Sequence, residues 1–319
     1  MIRFLELKRV NSIPMILSQS IKKKALELGF QKVGIAKAEG TPEAKSNLYN
    51  WLNSGSHATM DWMAKREEER GDIQTYFPEA RSVISVGINY FSGHSQSELK
   101  ANFKFSNYAW GDDYHDVLKK RLFQLLGFIK EKSPEVKTVV SVDTSPVMDK
   151  VWAQKAGIGW QGKHTNLITR DYGSWLFLGE LIVDLELDYD SPFDEDLCGT
   201  CTACIEACPT EALSSYQIDS EKCISYRTIE HKGKFSEGED DLDDWIYGCD
   251  ICQDVCPWNQ KFGQVTDEPA FLPRQEILTW TDSDWTTMDE AGFRKLSKGS
   301  AVKRTKFSGL NRNIKQNSL

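Results

Sequence analysis

Apolar residues recur at helical spacing from about Ser18 to Leu28, and the run stops at Gly29, which predicts a helix with a glycine C-cap. The stretch FQKVGIAKA that follows reads as a strand. RSVISVGINY, from Arg81 to Tyr90, is β-branched and mostly apolar, the pattern of a covered strand. In DDYHDVLKKRLFQLLGFIKEK, Val117, Leu118, Leu122, Leu125, Leu126 and Ile129 fall on one face of a long amphipathic helix. KTVVSVD predicts another strand, MDKVWAQKAG a helix closed by Gly157, and GSWLFLGELIVDL either a strand pair or one long strand. Helices and strands therefore alternate through an α/β or α+β domain of about 185 residues, an ordinary domain size.

The pattern then changes. DLELDYDSPFDEDL is acidic and turn-rich and leads into the first cysteine, and all eight cysteines of the chain lie between Cys198 and Cys256. Their confinement sets the expected boundaries: a first domain over 1–187, a cysteine module over 188–275, and a C-terminal segment over 276–319. The module is interrupted by SEGEDDLDDW, read as a solvated acidic loop or helix start. From Arg294 onward the chain is basic, with no acidic residue. The 319 residues are 40% hydrophobic and 27% charged, as a folded globular protein would be. The net charge of −8 argues against a general nucleic-acid coat and leaves room for a local basic patch. No apolar run is long enough to span a membrane, and the N-terminus carries neither a secretory core nor a twin-arginine pair. The expected location is the cytosol, where clustered cysteines bind metal more often than they form disulfides.

Cys198, Cys201, Cys204 and Cys208 form C-x2-C-x2-C-x3-C-P; Cys223 stands alone, and Cys249, Cys252 and Cys256 form C-x2-C-x3-C-P. In two-cluster ferredoxins the fourth cysteine of a run serves the other cluster. The spacing therefore assigns one 4Fe-4S cluster to Cys198, Cys201, Cys204 and Cys256, and a second to Cys208, Cys223, Cys249 and Cys252. Eight thiolates fill two four-thiolate sites with none left over, whereas four-cysteine zinc sites fit these spacings poorly. Two clusters make an electron relay, and the larger preceding domain is expected to hold the acceptor.

Asp143 falls at the C-terminal end of a predicted strand, where reactive groups of α/β sheets gather. Position alone favours a plainer role, capping the next helix or ordering the Thr144, Ser145, Pro146 turn. Asp149 reads as an exposed first-turn carboxylate. Gly157, Gly159 and Gly162 are spaced G-x-G-x-x-G, but they follow a helix instead of opening one, so a dinucleotide site fails on context. His164, beside Lys163, reads as an exposed polar residue. Asp113 and His115 do not continue into the D-x-H-x-x-G motif through which some cobalamin proteins supply a histidine to cobalt.

Taken in order, YAWGDDYHDVLKKRL, VDTSPVMDK, WAQKAGIGWQGKHTNLI, YGSWLFLGE, CGTCTACIEACPTEAL, CISYRTIEHKG, YGCDICQDVCPWN and SAVKRTKFSGLNRNI resemble the epoxyqueuosine reductases over nearly the whole chain. The helical-repeat extension of some members is not expected. The resemblance implies an α+β fold: a nitroreductase-like cobalamin-binding domain followed by a ferredoxin-like module with two 4Fe-4S clusters. It implies reduction of the epoxide of epoxyqueuosine to the alkene of queuosine, at the wobble position of tRNA, by cob(I)alamin fed through the clusters. The cobalamin would be base-off, with no protein histidine on cobalt.

Under the same resemblance Asp143 becomes the proton donor, with burial expected to raise its pKa. Arg70 matches a cobalamin contact, although by itself it reads as one more charge on an exposed helix. Ser106 aligns where other members can carry cysteine. Leu167, Leu178, Ser225 and Asp250 match positions near the corrin, and His164 belongs to the same lining. The tRNA substrate would give Lys303, Arg304, Lys306 and Arg312 phosphates to contact. A monomer served by an external low-potential electron donor is expected. The alternatives are a cobalamin-dependent reductive dehalogenase, for which the export signal is missing, and a ferredoxin-like electron carrier, which would need no cobalamin.

Overall fold

The computed structural model describes residues 2–235 and 241–318, so Ser236–Asp240, the first half of the acidic stretch, lies outside the described residues. Helix α1 (Ile2–Glu27) starts well before the periodic stretch and ends at Gly29, whose φ of +87° suits glycine. It feeds β1 (Lys32–Lys37), and β2 (Ser82–Asn89) pairs with β1 antiparallel. Then come α2 (Tyr114–Lys132), β3 (Thr138–Ser141), α3 (Asp149–Lys155) and β4 (Leu176–Val183). GSWLFLGELIVDL thus yields one strand, and it is central: the sheet order is β1-β2-β4-β3, antiparallel throughout.

Alternation along β2 and β4 sends side chains to two covered faces. On one face Ile84, Val86, Ile88, Leu181 and Val183 meet Ile21 and Ala25 of α1 and Leu118, Leu122, Leu125, Leu126 and Ile129 of α2. Each fully buried leucine or isoleucine there contributes roughly 1.5–3 kcal/mol. On the other face Val83 and Ile182 meet Trp152 and Ala153 of α3 and its C-cap Ala156. That helix lies close, because a Cβ at Gly34 would come within 2.0 Å of the Ala156 carbonyl oxygen. The outcome is an α+β domain with helices on both sides of an antiparallel sheet.

Residues 276–318 are built into the body of the protein. Lys104–Phe105 pairs in parallel with Trp245–Tyr247. Around that pair Phe105, Trp110, Ile246 and Tyr247 pack against Trp285, Phe293, Leu310 and Ile314. Helix α4 (Lys306–Gln316) is fixed further by Asn313, whose Nδ2 donates to the carbonyls of Thr228 and Ile246. A single hydrophobic cluster therefore draws on all three segments that composition separates.

Candidate active site

Between the sheet and the cysteine module lies a cavity of about 700 Å³. The first domain supplies Arg70 from the short helix Glu67–Gly71, Ser106, the start of α2, Asp143 just after β3, the start of α3, and Leu178 of β4. The cysteine module supplies Ser225 and Asp250. Arg70, Ser106, Asp143, His164, Leu167, Leu178, Ser225 and Asp250, scattered through the sequence, all line this one space.

Asp143 holds a left-handed backbone conformation, φ +55°, which aspartate tolerates better than most residues. It does not cap α3, whose N-cap is Met148. Its Oδ2 accepts a hydrogen bond from the Tyr114 hydroxyl at 2.8 Å and faces His115 Nε2 at 3.4 Å. The His115 ring is anchored through Nδ1 to Asp113 Oδ1 at 2.7 Å, and Asp113 Oδ2 meets Lys303 Nζ at 2.7 Å. Desolvation opposes charge on Asp143, although its side chain is 61% exposed, and the adjacent His115 ring together with the Tyr114 hydrogen bond outweighs it and holds the carboxyl below its ordinary range. This corrects the expectation of a carboxyl raised by burial. Burial opposes charge on His115 as well, yet Asp113 and Asp143 together lift its pKa to about 9. At neutral pH the proton of this pair therefore resides on the imidazole.

Two further expectations are corrected by burial. His164 is 3% exposed, packed into the turn between Trp160–Gln161 and Leu167–Ile168, and burial pushes its pKa down to about 4. The neutral ring accepts the Asn166 N–H at Nδ1, so its proton sits on Nε2, which has no partner among the described residues. Asp149 is not an exposed carboxylate either; its Oδ1 is buried. Arg70, 9% exposed, lies over the Trp62 ring at 5.3 Å, and its Nε has no partner among the described residues. Two buried N–H donors, on Arg70 and His164, thus belong to residues lining the cavity and lack a protein acceptor, which fits a polar cofactor seated there. Ser106 works differently: its hydroxyl donates to Asp250, which also accepts from the Asn107 backbone and side chain and so ties the two modules together. The glycines 159 and 162 serve the hairpin, since a Cβ at Gly159 would lie 2.1 Å from the Ile168 carbonyl oxygen.

All eight cysteines are free thiols. Among the described residues, no three metal-ligating side chains converge as a single-ion site. The thiols interact in two sets. Cys204 interacts electrostatically with Cys198, Cys256 and Cys201, and Cys256 with Cys198 and Cys201. Cys223 interacts with Cys208, and Cys249 with Cys252 and Cys223. One link joins the sets, Cys252 with Cys204. Burial raises the pKa of the thiols of Cys204, Cys223, Cys249, Cys252 and Cys256, and a bound cation would reverse this by binding the thiolate. Cys208, Cys223, Cys249 and Cys252 all line the cavity, and the other four do not.

The basic residues of the C-terminal segment separate by partner. Lys306 is exposed, Lys303 reaches Asp113, and Arg304 makes a two-pronged pair with Glu230 while lying 5.9 Å from the Trp62 ring. Arg312, expected among the phosphate contacts, is turned inward instead. Its guanidinium donates to the carbonyls of Arg227, His231 and Gly233 and to the Asn313 side chain. The carbonyls released at the end of the Ile224–Ile229 helix need donors, and Arg312 provides them.

Sequence reasoning passed over Tyr114 and Lys150 and weighed His115 only as a cobalt ligand. Lys150 also lines the cavity and donates to the Thr165 carbonyl and the Asn166 side chain. The available signal for His115 was its place two residues after Asp113, a helix N-cap whose carboxylate accepts the His115 N–H.

Comparison with known proteins agrees with this layout. Residues 197–259 match the 4Fe-4S double cluster binding domain, and residues 70–144 match the family Epoxyqueuosine reductase QueG. An epoxyqueuosine reductase of Cellulophaga algicola is 46% identical over 299 residues, covering 93% of this chain and 96% of that one. One from Synechocystis is 44% identical over 290 residues, covering 89% and 99%. A crystal structure of epoxyqueuosine reductase with an epoxyqueuosine-modified tRNA-Tyr stem loop superposes with a TM-score of 0.85 at 28% identity, covering 94% of this chain and 80% of that one. The Streptococcus thermophilus epoxyqueuosine reductase superposes with a TM-score of 0.80 at 29% identity, covering 93% and 80%. Among the described residues no helix is long and apolar enough to cross a membrane. The chain is an oxidoreductase that belongs to the epoxyqueuosine reductase family.

Proposed function

We propose that this chain reduces epoxyqueuosine to queuosine at the wobble position of tRNA, with cobalamin in the cavity and two 4Fe-4S clusters supplying electrons. The observation that carries the reading is the cavity wall itself, where Asp143, the unpartnered donors of Arg70 and His164, and four of the eight thiols meet. The supporting relative is a structure that holds an epoxyqueuosine-modified tRNA stem loop.

The reaction takes two electrons and two protons: both carbon–oxygen bonds of the epoxide break, an alkene forms and the oxygen leaves as water. Cobalamin, when bound, supplies the reduced cobalt centre on which this chemistry depends. Arg70, Ser225, Leu178 and the Leu167 backbone would hold it, within a nitroreductase-like domain over 1–187. His164 accepts the Asn166 N–H at Nδ1 and so keeps no lone pair free for a metal, and base-off cobalamin would ask for none. Cluster one would sit on Cys198, Cys201, Cys204 and Cys256, and cluster two on Cys208, Cys223, Cys249 and Cys252 in a ferredoxin-like module. Cys208, Cys223, Cys249 and Cys252 line the cavity and Cys201 is exposed, so electrons from an external low-potential donor would be taken up at the Cys201 set and delivered at the cavity set.

The imidazolium of His115 gives its proton to Asp143, which passes it on to the departing oxygen. Tyr114 and Asp113 keep the two groups aligned. Lys303, Arg304 and Lys306 would meet phosphates of the anticodon arm, while the modified nucleoside is turned out of its loop into the cavity. The protein would act as a cytosolic monomer. The deciding experiment is anaerobic reconstitution with cobalamin, a reductant and tRNA carrying epoxyqueuosine, followed by nucleoside mass analysis. Queuosine should replace epoxyqueuosine in stoichiometric amount. Iron–sulfur absorption without corrin uptake, and an unchanged nucleoside, would end the proposal.

A further inference from the structure

A second group of acids lies behind the Asp143 wall. Glu180 is central in β4 and 0% exposed, and neither carboxyl oxygen finds a donor among the described residues. Its cross-strand neighbours are Ser85 on β2 and Ser141 on β3. Both are 0% exposed, and both hydroxyls likewise lack a partner among the described residues. Cross-strand neighbours point to the same face of a sheet, so Ser85, Glu180 and Ser141 form a polar row on the face covered by α3. Helix α3 packs against β4, and at its start Asp149 interacts electrostatically with Glu180 while its own Oδ1 is buried without a donor among the described residues. Two carboxylates can only accept hydrogen bonds, so facing one another they satisfy nothing. One proton changes this, turning two repelling acceptors into a donor–acceptor pair.

We infer that Asp149 and Glu180 share a proton and form the second proton source of the reaction, feeding the cavity through Asp149. This rests on the epoxide-reducing reading above. Asp149 lines the cavity with Asp143, whereas Glu180 lies behind it and acts through Asp149 as a positioning residue. Burial raises the pKa of both: Asp149 to about 6, and Glu180 well above the carboxylate range. The charged groups facing the pair are Asp143 from the loop after β3, Arg70 from the Glu67–Gly71 helix and Lys150 of α3. Arg70 and Lys150 favour ionisation of Asp149, while Asp143 disfavours it. The Ser85 and Ser141 hydroxyls flank Glu180 as possible donors and acceptors for an internal water, the usual remedy for buried polar atoms without protein partners. The proton balance closes. The oxygen of the epoxide takes one proton from the His115 and Asp143 pair and one from the Asp149 and Glu180 pair, and leaves as water; both pairs refill from solvent.

Infrared difference spectroscopy of the cluster-loaded protein without tRNA tests the pair independently of turnover. At neutral pH the wild type should show the carbonyl stretch of a protonated carboxylic acid, shifted in heavy water. Glu180→Gln should remove that band, and Asp149→Asn, which takes away its hydrogen-bonding partner but leaves Glu180 buried, should shift it. In single turnover with epoxyqueuosine-containing tRNA, Glu180→Gln should slow alkene formation about a hundredfold or more, and the wild-type decline on the alkaline side should move to lower pH. A wild type with no such band, or a band untouched by both substitutions, overturns the inference even if the variants fold poorly. Wild-type turnover by Glu180→Gln overturns it as well. A band that behaves as expected in a protein unable to convert epoxyqueuosine leaves the pair standing and removes the reaction assigned above.

Discussion

Replacing Asp113 by asparagine tests whether the His115 imidazolium is the proton store beside Asp143. Asp113 Oδ1 is 2.7 Å from Nδ1 of the ring, and Asp143 Oδ2 is 3.4 Å from Nε2. Against the opposing effect of burial these two carboxylates lift His115 from 6.5 to about 9. Such a lift corresponds to about 3 kcal/mol in favour of the cation. At pH 7 a histidine of pKa about 9 is about 99% protonated, and one of 6.5 only about 24%. Asp113→Asn removes the nearer charge and keeps the side-chain shape, so the His115 midpoint should fall by about one pH unit or more. Because the folded value is raised, the linked stability is full below the ordinary 6.5 and is lost as pH rises through about 9. The stability gap between wild type and variant should therefore be widest at or below neutral pH and should close in alkali. The chain has five histidines, so ring-labelled NMR titration can follow each one, with His115→Gln providing the assignment. A wild-type His115 midpoint near 6.5, or one that Asp113→Asn does not move, would refute the relay.

Asp143→Ala should retain both clusters and bound cobalamin yet leave epoxyqueuosine in tRNA unconverted; wild-type turnover would remove Asp143 from the mechanism. Cys223→Ala should abolish the cluster that borders the cavity and with it turnover, while one cluster signal survives in the paramagnetic resonance of the reduced protein. Loss of both signals, or none, would contradict the crossed assignment. Lys303→Glu together with Arg304→Glu should weaken tRNA binding and reduce the slope of log affinity against log salt by about 1.5. An unchanged slope would leave those side chains to Asp113 and Glu230 alone.

What was legible in the sequence was whatever repeats. The period along α2 located Leu118, Leu122, Leu125, Leu126 and Ile129, and the same five residues fill the space between helix and sheet. The cysteine spacing isolated the module that matches a double-cluster domain. Single residues were less legible, because their roles are set by what approaches from elsewhere. His164 looks exposed beside a lysine, but Lys163 itself turns to the carbonyls of Gly199 and Cys201, and the turn carrying both is buried. Arg312 sits in a basic run, and only the carbonyls near the end of a helix more than seventy residues away explain its inward turn. Glu180 did leave a mark: it is the single charge within the apolar strand LFLGELIV. A lone acid there announces either a partner or a proton, and deciding between them required the α3 residue that meets it.

The cavity has two walls with different chemistry, and this division accounts for several otherwise unrelated features. The cysteine-module wall carries thiols, while the wall from the sheet and its helices carries Asp143, backed by His115, together with Asp149 and Lys150. A reaction that consumes electrons and protons in equal number gains from keeping their sources apart, because a proton store beside a low-potential cluster would invite reduction of protons in place of substrate. The join between the walls must then be stiff, or the two deliveries lose register. Asp250, neighbour to Cys249 and Cys252 in sequence, meets that need by accepting hydrogen bonds from Ser106 and Asn107 of the first domain. A Cβ at Gly248 would lie 2.3 Å from the Ser106 Cβ, so the same join tolerates no side chain on its near side. Loosening the join should uncouple electron delivery from proton delivery without removing a group that takes part in either.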